Sequence, residues 1–132
     1  MKTHTLPLIG GIDKETAIFT EEELQNECVL TCCYRGKTIR ASAPDFFEAL
    51  CRIRRELEKE GLVPFCYGAS LNVFPSGMGR QMAAGLAAYK MVMNQAATLE
   101  QLVNIFDQCP DIIPASVEKQ RQYFNKWLAS LG

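Results

Sequence analysis

Cys28-Val29-Leu30-Thr31-Cys32-Cys33-Tyr34-Arg35-Gly36-Lys37-Thr38-Ile39-Arg40-Ala41, followed after a short break by Asp45-Phe46-Phe47-Glu48-Ala49-Leu50-Cys51-Arg52-Ile53, decides the fold class. The first part holds two β-rich runs on either side of Arg35-Gly36. A glycine-containing turn between such runs predicts a hairpin over 28–43. The second part changes period. Phe46, Leu50, Ile53 and Leu57 recur at steps of four, three and four, which is one face of a helix. Asp45 with Glu48 three residues on forms a capping signal, and Gly61 supplies the stop, so a helix is expected near 45–60. The arginines Arg52, Arg54 and Arg55 are interleaved with Glu56, Glu58 and Glu60 and are expected on a solvated, self-paired face.

Working outward, Leu62-Val63-Pro64-Phe65-Cys66-Tyr67 predicts a strand near 62–67. Met78, Met82, Leu86, Tyr89 and Met93 fit a helical stripe of core-filling methionines, but Gly79 and Gly85 oppose a helix. The reading adopted is a loop or short turn through Met82 and a strand near 86–93. Thr98 with Gln101 has the form of a capping box, and Leu99, Leu102, Val103 and Phe106 then predict a helix near 98–108. Ser116 caps an expected last helix near 116–131. Its packing side carries Val117, Phe124, Trp127, Leu128 and Leu131, with Lys119, Gln120, Gln122 and Lys126 mostly elsewhere. On the N-terminal side, Pro7, Gly10 and Gly11 make 1–15 an irregular segment, with His4 in it. Thr16–Thr20 reads as a short strand, and Glu21–Gln25 as a helical turn. The expectation is one α+β domain over 1–132, with a small, mainly antiparallel sheet packed by helices.

The chain has 132 residues, 48% hydrophobic and 22% charged, with a formal net charge of −1. That size can bury one core unaided. The charge balance gives no general attraction to nucleic acid or an anionic membrane, and no apolar run is long enough to span a bilayer. The N-terminus lacks the apolar run of a signal peptide, so a cytoplasmic protein is expected. The six cysteines include no CxxC pair and there is a single histidine, so the thiols are expected to be reduced and mostly packed, with no metal site and no cofactor. No nucleophile–histidine–acid set, Walker loop or dinucleotide fingerprint occurs, and no catalytic residue is assigned.

One stretch follows no packing period: Tyr67-Gly68-Ala69-Ser70-Leu71-Asn72-Val73-Phe74-Pro75-Ser76-Gly77-Met78-Gly79-Arg80. The candidate binding residues are Tyr67, Asn72, Phe74, Ser76, Gly77, Gly79 and Arg80. Two uses are open. Tyr67, Phe74 and Arg80 have the aromatic-plus-arginine composition of a protein interface. Ser76, Gly77, Gly79 and Arg80 could instead cradle an anionic group on backbone N–H groups and a guanidinium. Against both stands a structural reading: Pro75-Ser76-Gly77 is a tight turn, Asn72 holds its own backbone, and Arg80 pairs locally.

The run Cys66–Ser70 with Asn72–Met78, the run Gly85–Lys90, and Pro114–Glu118 with Trp127-Leu128 resemble small uncharacterised bacterial proteins encoded among polymorphic toxin and type VI secretion genes. The resemblance covers about residues 30–131. It implies a non-enzymatic cytosolic protein that binds and neutralises a cognate toxin domain, with no catalytic residues to transfer. A small-ligand module or enzyme built on the 76–80 loop is the alternative, and a homodimer through the loop is a third arrangement.

Overall fold

A computed structural model describes residues 1–132. The first four strands form a continuous meander: β1 (Lys2–Ile9), β2 (Thr16–Leu24), β3 (Glu27–Tyr34) and β4 (Lys37–Ala43). With β5 (Val63–Pro64) they make a five-stranded sheet in the order β4-β3-β2-β1-β5, antiparallel at every pairing. Alternation sorts its faces. Leu6, Leu8, Ala17, Phe19, Leu30, Cys32 and Ala41 point into the core. Thr3, Thr20, Thr31 and Arg40 lie in one row across the other face.

The hairpin is where the sequence places it. Its turn residues Arg35 and Gly36 both have positive φ (49° and 70°), the conformation that matches a two-residue turn to the twist of its strands. Two expectations upstream fail. Residues 2–9 are a strand, not an irregular segment. Pro7 is tolerated because its missing N–H faces β5, which is only two residues long; its carbonyl still accepts the Phe65 N–H at 2.8 Å. Glu21–Leu24 continue β2 rather than forming a helical turn. Gln25 and Asn26, both at positive φ, close a second tight hairpin without the usual glycine.

α1 (Phe46–Glu58) crosses the buried face of the sheet, and Asp45 caps it by accepting the Glu48 N–H at 2.8 Å. Phe46, Phe47, Leu50, Ile53 and Leu57 fill the layer between. Next come β5, a 3₁₀ turn at Tyr67–Ala69, and β6 (Val73–Phe74). The strand expected over 62–67 is thus reduced to β5, since the chain turns at Cys66 to pass beneath α1. β6 belongs to a second antiparallel sheet, in the order β6-β7-β8, with β7 at Ala87–Lys90 and β8 at Leu102–Asn104. α2 (Gly77–Met82) is a six-residue turn of helix between β6 and β7.

The helix expected over 98–108 does not form. Thr98 and Gln101 do interact, the Thr98 N–H donating to Gln101 Oε1 at 3.1 Å, but the helix stops after one 3₁₀ turn at Leu99–Gln101. Pairing of Leu102–Asn104 with β7 takes over, and the Ile105 N–H continues the ladder onto the Leu86 carbonyl at 2.9 Å. α3 (Val117–Ser130) is capped by Ser116, as its sequence indicates. Its inward side carries Trp127, Val117 and Gln120, while Leu128 and Leu131 are largely exposed. The molecule is a single α+β unit, and no helix is long and apolar enough to cross a membrane.

Candidate functional site

The central loop is drawn into the core more than its composition suggests. Tyr67 is buried; its hydroxyl donates to Asp111 Oδ1 at 2.7 Å, and Lys90 reaches the other oxygen at 3.2 Å. Burial, followed by bonds to Cys109 and Asp111, pushes the phenol above its ordinary pKa, and the Tyr67 bond holds Asp111 below its own. Phe74 is also buried, stacked on Phe124 at 4.0 Å and edge-on to Phe47 at 5.0 Å. Neither aromatic stands out into solvent. Asn72 accepts the Ser70 hydroxyl at 2.9 Å, and its carbonyl takes the Met91 N–H at 2.7 Å.

The residues proposed to cradle an anion are also engaged inside the fold. Ser76 Oγ accepts the Gly79 N–H at 2.9 Å and caps α2. Arg80 donates to Asp45 Oδ2 at 3.2 Å and lies over the rings of Phe47 and Phe74, at 5.2 and 5.4 Å. Only Gly77 is open on all sides. The structural reading of the loop is therefore the one its geometry follows.

Beneath the loop lies a polar node that the sequence hides. Arg54, expected on the solvated face of α1, is 1% exposed. Its Nη1 donates to the Gly68 carbonyl at 2.9 Å and to Gln120 Oε1 at 2.7 Å, and its Nη2 to the Ala115 carbonyl at 3.0 Å. Gln120, also 1% exposed, lies 2.9 Å by Nε2 from each of the carbonyls of Gly68, Ser70 and Val73. Glu58, rather than pairing with Arg54, accepts the Val117 N–H at 2.9 Å at the start of α3. No carboxylate bonds Arg54, its Nε has no partner, and burial pushes its pKa down. The step pattern of α1 contains the only hint: Arg54 follows Ile53 and precedes Leu57, at the border of the apolar face. Charge alone gave the wrong side.

Other chemistry-bearing groups are similarly embedded. Burial raises the Cys32 thiol to about 12 and the Cys66 thiol to about 11, so neither is a ready nucleophile. His4 sits in β1, bonded to Glu21 at 2.7 Å and stacked on Phe106 at 4.3 Å. No group of three or more His, Cys, Asp or Glu side chains is placed to hold a metal ion.

The surface that stands out lies over the second sheet. Met78 and Met82, expected as core filling, are 70% and 81% exposed on α2, and Leu99 is 79% exposed beside β8. Three depressions run together here. An aromatic slot of about 80 Å³ lies between Phe74, Tyr89, Phe124 and Trp127. It shares Ser76 and Tyr89 with a hollow of about 190 Å³ lined by Met78, Met82 and Leu102. That hollow shares Ala87 and Leu102 with an open groove of about 560 Å³ lined by Ala83, Leu86, Val103, Asn104 and Asp107. The result is one apolar track across β7, with methionines at its middle. Flexible, polarisable methionine side chains are suited to adaptable contact surfaces. The signal was present in the sequence as Met78 and Met82 at i,i+4, but periodicity does not say whether an apolar stripe faces the core or a partner.

Compared with family models and with curated proteins, the chain matches none.

Proposed function

We propose that this chain is a non-enzymatic protein-interaction domain of the cytoplasm that binds a partner through the apolar track over α2, β7 and β8. The partner best fitting the resemblance of residues 30–131 is a bacterial toxin domain, which the chain would neutralise by occupying its surface. The observation that carries the reading is the continuity of the three depressions around exposed Met78 and Met82. Contiguous exposed apolar surface on a small domain marks an interaction site more often than a solvated face. The anion-cradle reading gains nothing from the geometry, because Ser76 and Arg80 are already committed to Gly79 and Asp45.

The test is growth rescue. A toxin encoded beside this gene is expressed alone and with this chain. Rescue is expected, and the combined change Met82→Asp and Leu102→Asp is expected to weaken binding at least about tenfold, a loss of roughly 1.4 kcal/mol. Both side chains are exposed, so stability should change by no more than about 0.5 kcal/mol each. Full rescue by the double variant would remove this face from the function, and absence of any neighbouring toxin would remove the toxin from it.

A further inference from the structure

The fold sorts its sulfur atoms by access. Burial closes off Cys28, Cys32, Cys51 and Cys66 and holds each thiol above its ordinary pKa, so none is a ready thiolate. Cys109 is half-buried against Tyr67 and Asp111. Cys33 is exposed, but alternation along β3 sets it beside Thr31, on the sheet face turned away from α1. Among the methionines, Met91 is buried and Met93 packs against the core. Met1 is exposed at the chain start and lines none of the three depressions. Met78 and Met82 alone combine an open sulfur with a place on the apolar track.

α2 presents both of them to one hollow. It buries no residue of its own, and it lies against β7 at Gly79, where an added Cβ would come 3.1 Å from the Ala87 carbonyl. Met78 and Met82, four residues apart, share a face of that turn, and both line the 190 Å³ hollow with Tyr89 and Leu102. The thioethers are thus open to a small reagent and at the same time part of the apolar wall. The hollow has only the hydroxyls of Ser76 and Tyr89 as side-chain donors, and Ser76 already caps α2.

We infer that Met78 and Met82 form an oxidation site for hydroperoxides, and that their sulfoxides close the apolar track to its partner until a methionine sulfoxide reductase restores the thioethers. The inference rests on the reading of this face as a protein interface and adds its regulation. The Sδ lone pair attacks the outer oxygen of ROOH. The S–O bond forms as the O–O bond breaks, and the outer oxygen's proton passes to the departing RO⁻ to give ROH. Each sulfur loses the two electrons that the peroxide gains. In the reverse step a dithiol supplies the electrons, leaving as a disulfide with one water. A sulfoxide turns a flexible apolar side chain into a polar one. An apolar partner group pressed onto the hollow would then strand two new acceptors where donors are scarce, which disfavours binding.

The full chain is treated with hydrogen peroxide at about pH 5, where thiols stay protonated, and oxygen uptake is followed at each methionine by peptide mass mapping. Met78 and Met82 are expected to react about tenfold or more faster than Met91, as exposure dictates. The treated chain should leave a phenyl hydrophobic-interaction column earlier than the untreated one. The two epimer-specific reductases, supplied with dithiothreitol, should return it to its first position. Met78→Leu with Met82→Leu should make retention insensitive to peroxide. In the complex with the neighbouring toxin, Met78→Gln with Met82→Gln sets an uncharged polar group near each sulfoxide position and should weaken binding about tenfold or more. Oxidation of Met91 at the same rate, unchanged retention, or a change that the reductases do not reverse would overturn the site. Native affinity in the glutamine variant, with affinity lost in Met82→Asp with Leu102→Asp, would overturn the gating and leave the interface standing. Native affinity in both would remove the interface and the gating together, while the mapping still decides the oxidation site.

Discussion

Arg54 Nη1 and Gln120 Oε1 lie 2.7 Å apart in the interior, joining two helices through groups with no carboxylate between them. The pair is useful because of the carbonyls around it. Gly68, Ser70, Val73 and Ala115 all belong to irregular or short segments whose backbone has too few strand partners. Buried carbonyls without donors are costly, so two long donor side chains stand in for a sheet.

Gln120→Ala is expected to destabilise the fold by about 3 kcal/mol, because it leaves a buried guanidinium and several carbonyls underbonded. Urea unfolding checks this. In a double-mutant cycle, Arg54→Met should cost at least about 1 kcal/mol less on a Gln120→Leu background than on the native chain, as coupled residues require. Strict additivity would show that the two side chains act independently.

Gly85 and Gly77 should respond oppositely to alanine. Gly85 has φ +76°, and a Cβ there would lie 2.7 Å from Asp45 Oδ1 and 2.9 Å from the Phe47 nitrogen. It sits against the start of α1, where the Phe46 N–H also reaches the Ala84 carbonyl at 2.7 Å. Gly85→Ala is expected to lose about 2 kcal/mol or more, from strain and displaced capping. A Cβ on Gly77 meets nothing within 4 Å, and the residue opens α2, so Gly77→Ala should be neutral or stabilising by up to about 1 kcal/mol. Thermal melts of the two variants separate these outcomes.

Stability should fall at both ends of the pH scale through one surface network. Arg35 bonds Glu15, with one contact at 2.8 Å, and Glu60 accepts from Tyr34 and Lys37. The Arg35 bond holds Glu15, and the Tyr34 and Lys37 bonds hold Glu60, below their ordinary value of 4.5. The unfolded chain therefore takes up these protons first; the contribution is complete above pH 4.5 and is lost as pH falls through the folded values. Tyr34 behaves conversely. The Glu60 bond, then burial, raises its phenol from 10 to about 12, so its contribution holds below pH 10 and is lost as pH rises toward 12. Urea midpoints against pH should show both slopes. Arg35→Gln should flatten the acid one and Tyr34→Phe the alkaline one.

Arg80→Ala is expected to cost about 1 kcal/mol of stability and to leave partner binding unchanged. Its ion pair with Asp45 is partly solvent-exposed, and the remainder of its contribution is stacking on Phe47 and Phe74. Calorimetric titration with the partner, alongside a melt, checks both halves. A large loss of affinity with normal stability would return Arg80 to the interface.

The elements that were legible in the sequence are those whose determinants are local. The Arg35-Gly36 turn, the Asp45 cap with its apolar face, and Ser116 at the head of α3 each specify structure within a few residues. β1 was obscured because a proline reads as a strand breaker unless one knows which edge its missing N–H faces. The 98–108 segment carries real helix-start chemistry, overridden when Leu102–Asn104 found a strand partner in β7. Arg54 and Gln120 were misplaced for a related reason: their partners are 66 residues apart, and nothing near either one announces burial. The apolar track was the least legible, since Met78, Met82 and Leu102 differ from core residues only in where the chain happens to leave them.

The arginine–glutamine node also orders events during synthesis. Arg54 leaves the ribosome with α1, well before Ala115 and Gln120, which come 61 and 66 residues later. Until α3 arrives, that guanidinium and the carbonyls of Gly68, Ser70 and Val73 must stay hydrated, which holds the core open on that side. Arrival of α3 supplies Gln120 and Ala115 together, so the buried guanidinium can be sealed from water only once nearly the whole chain is present.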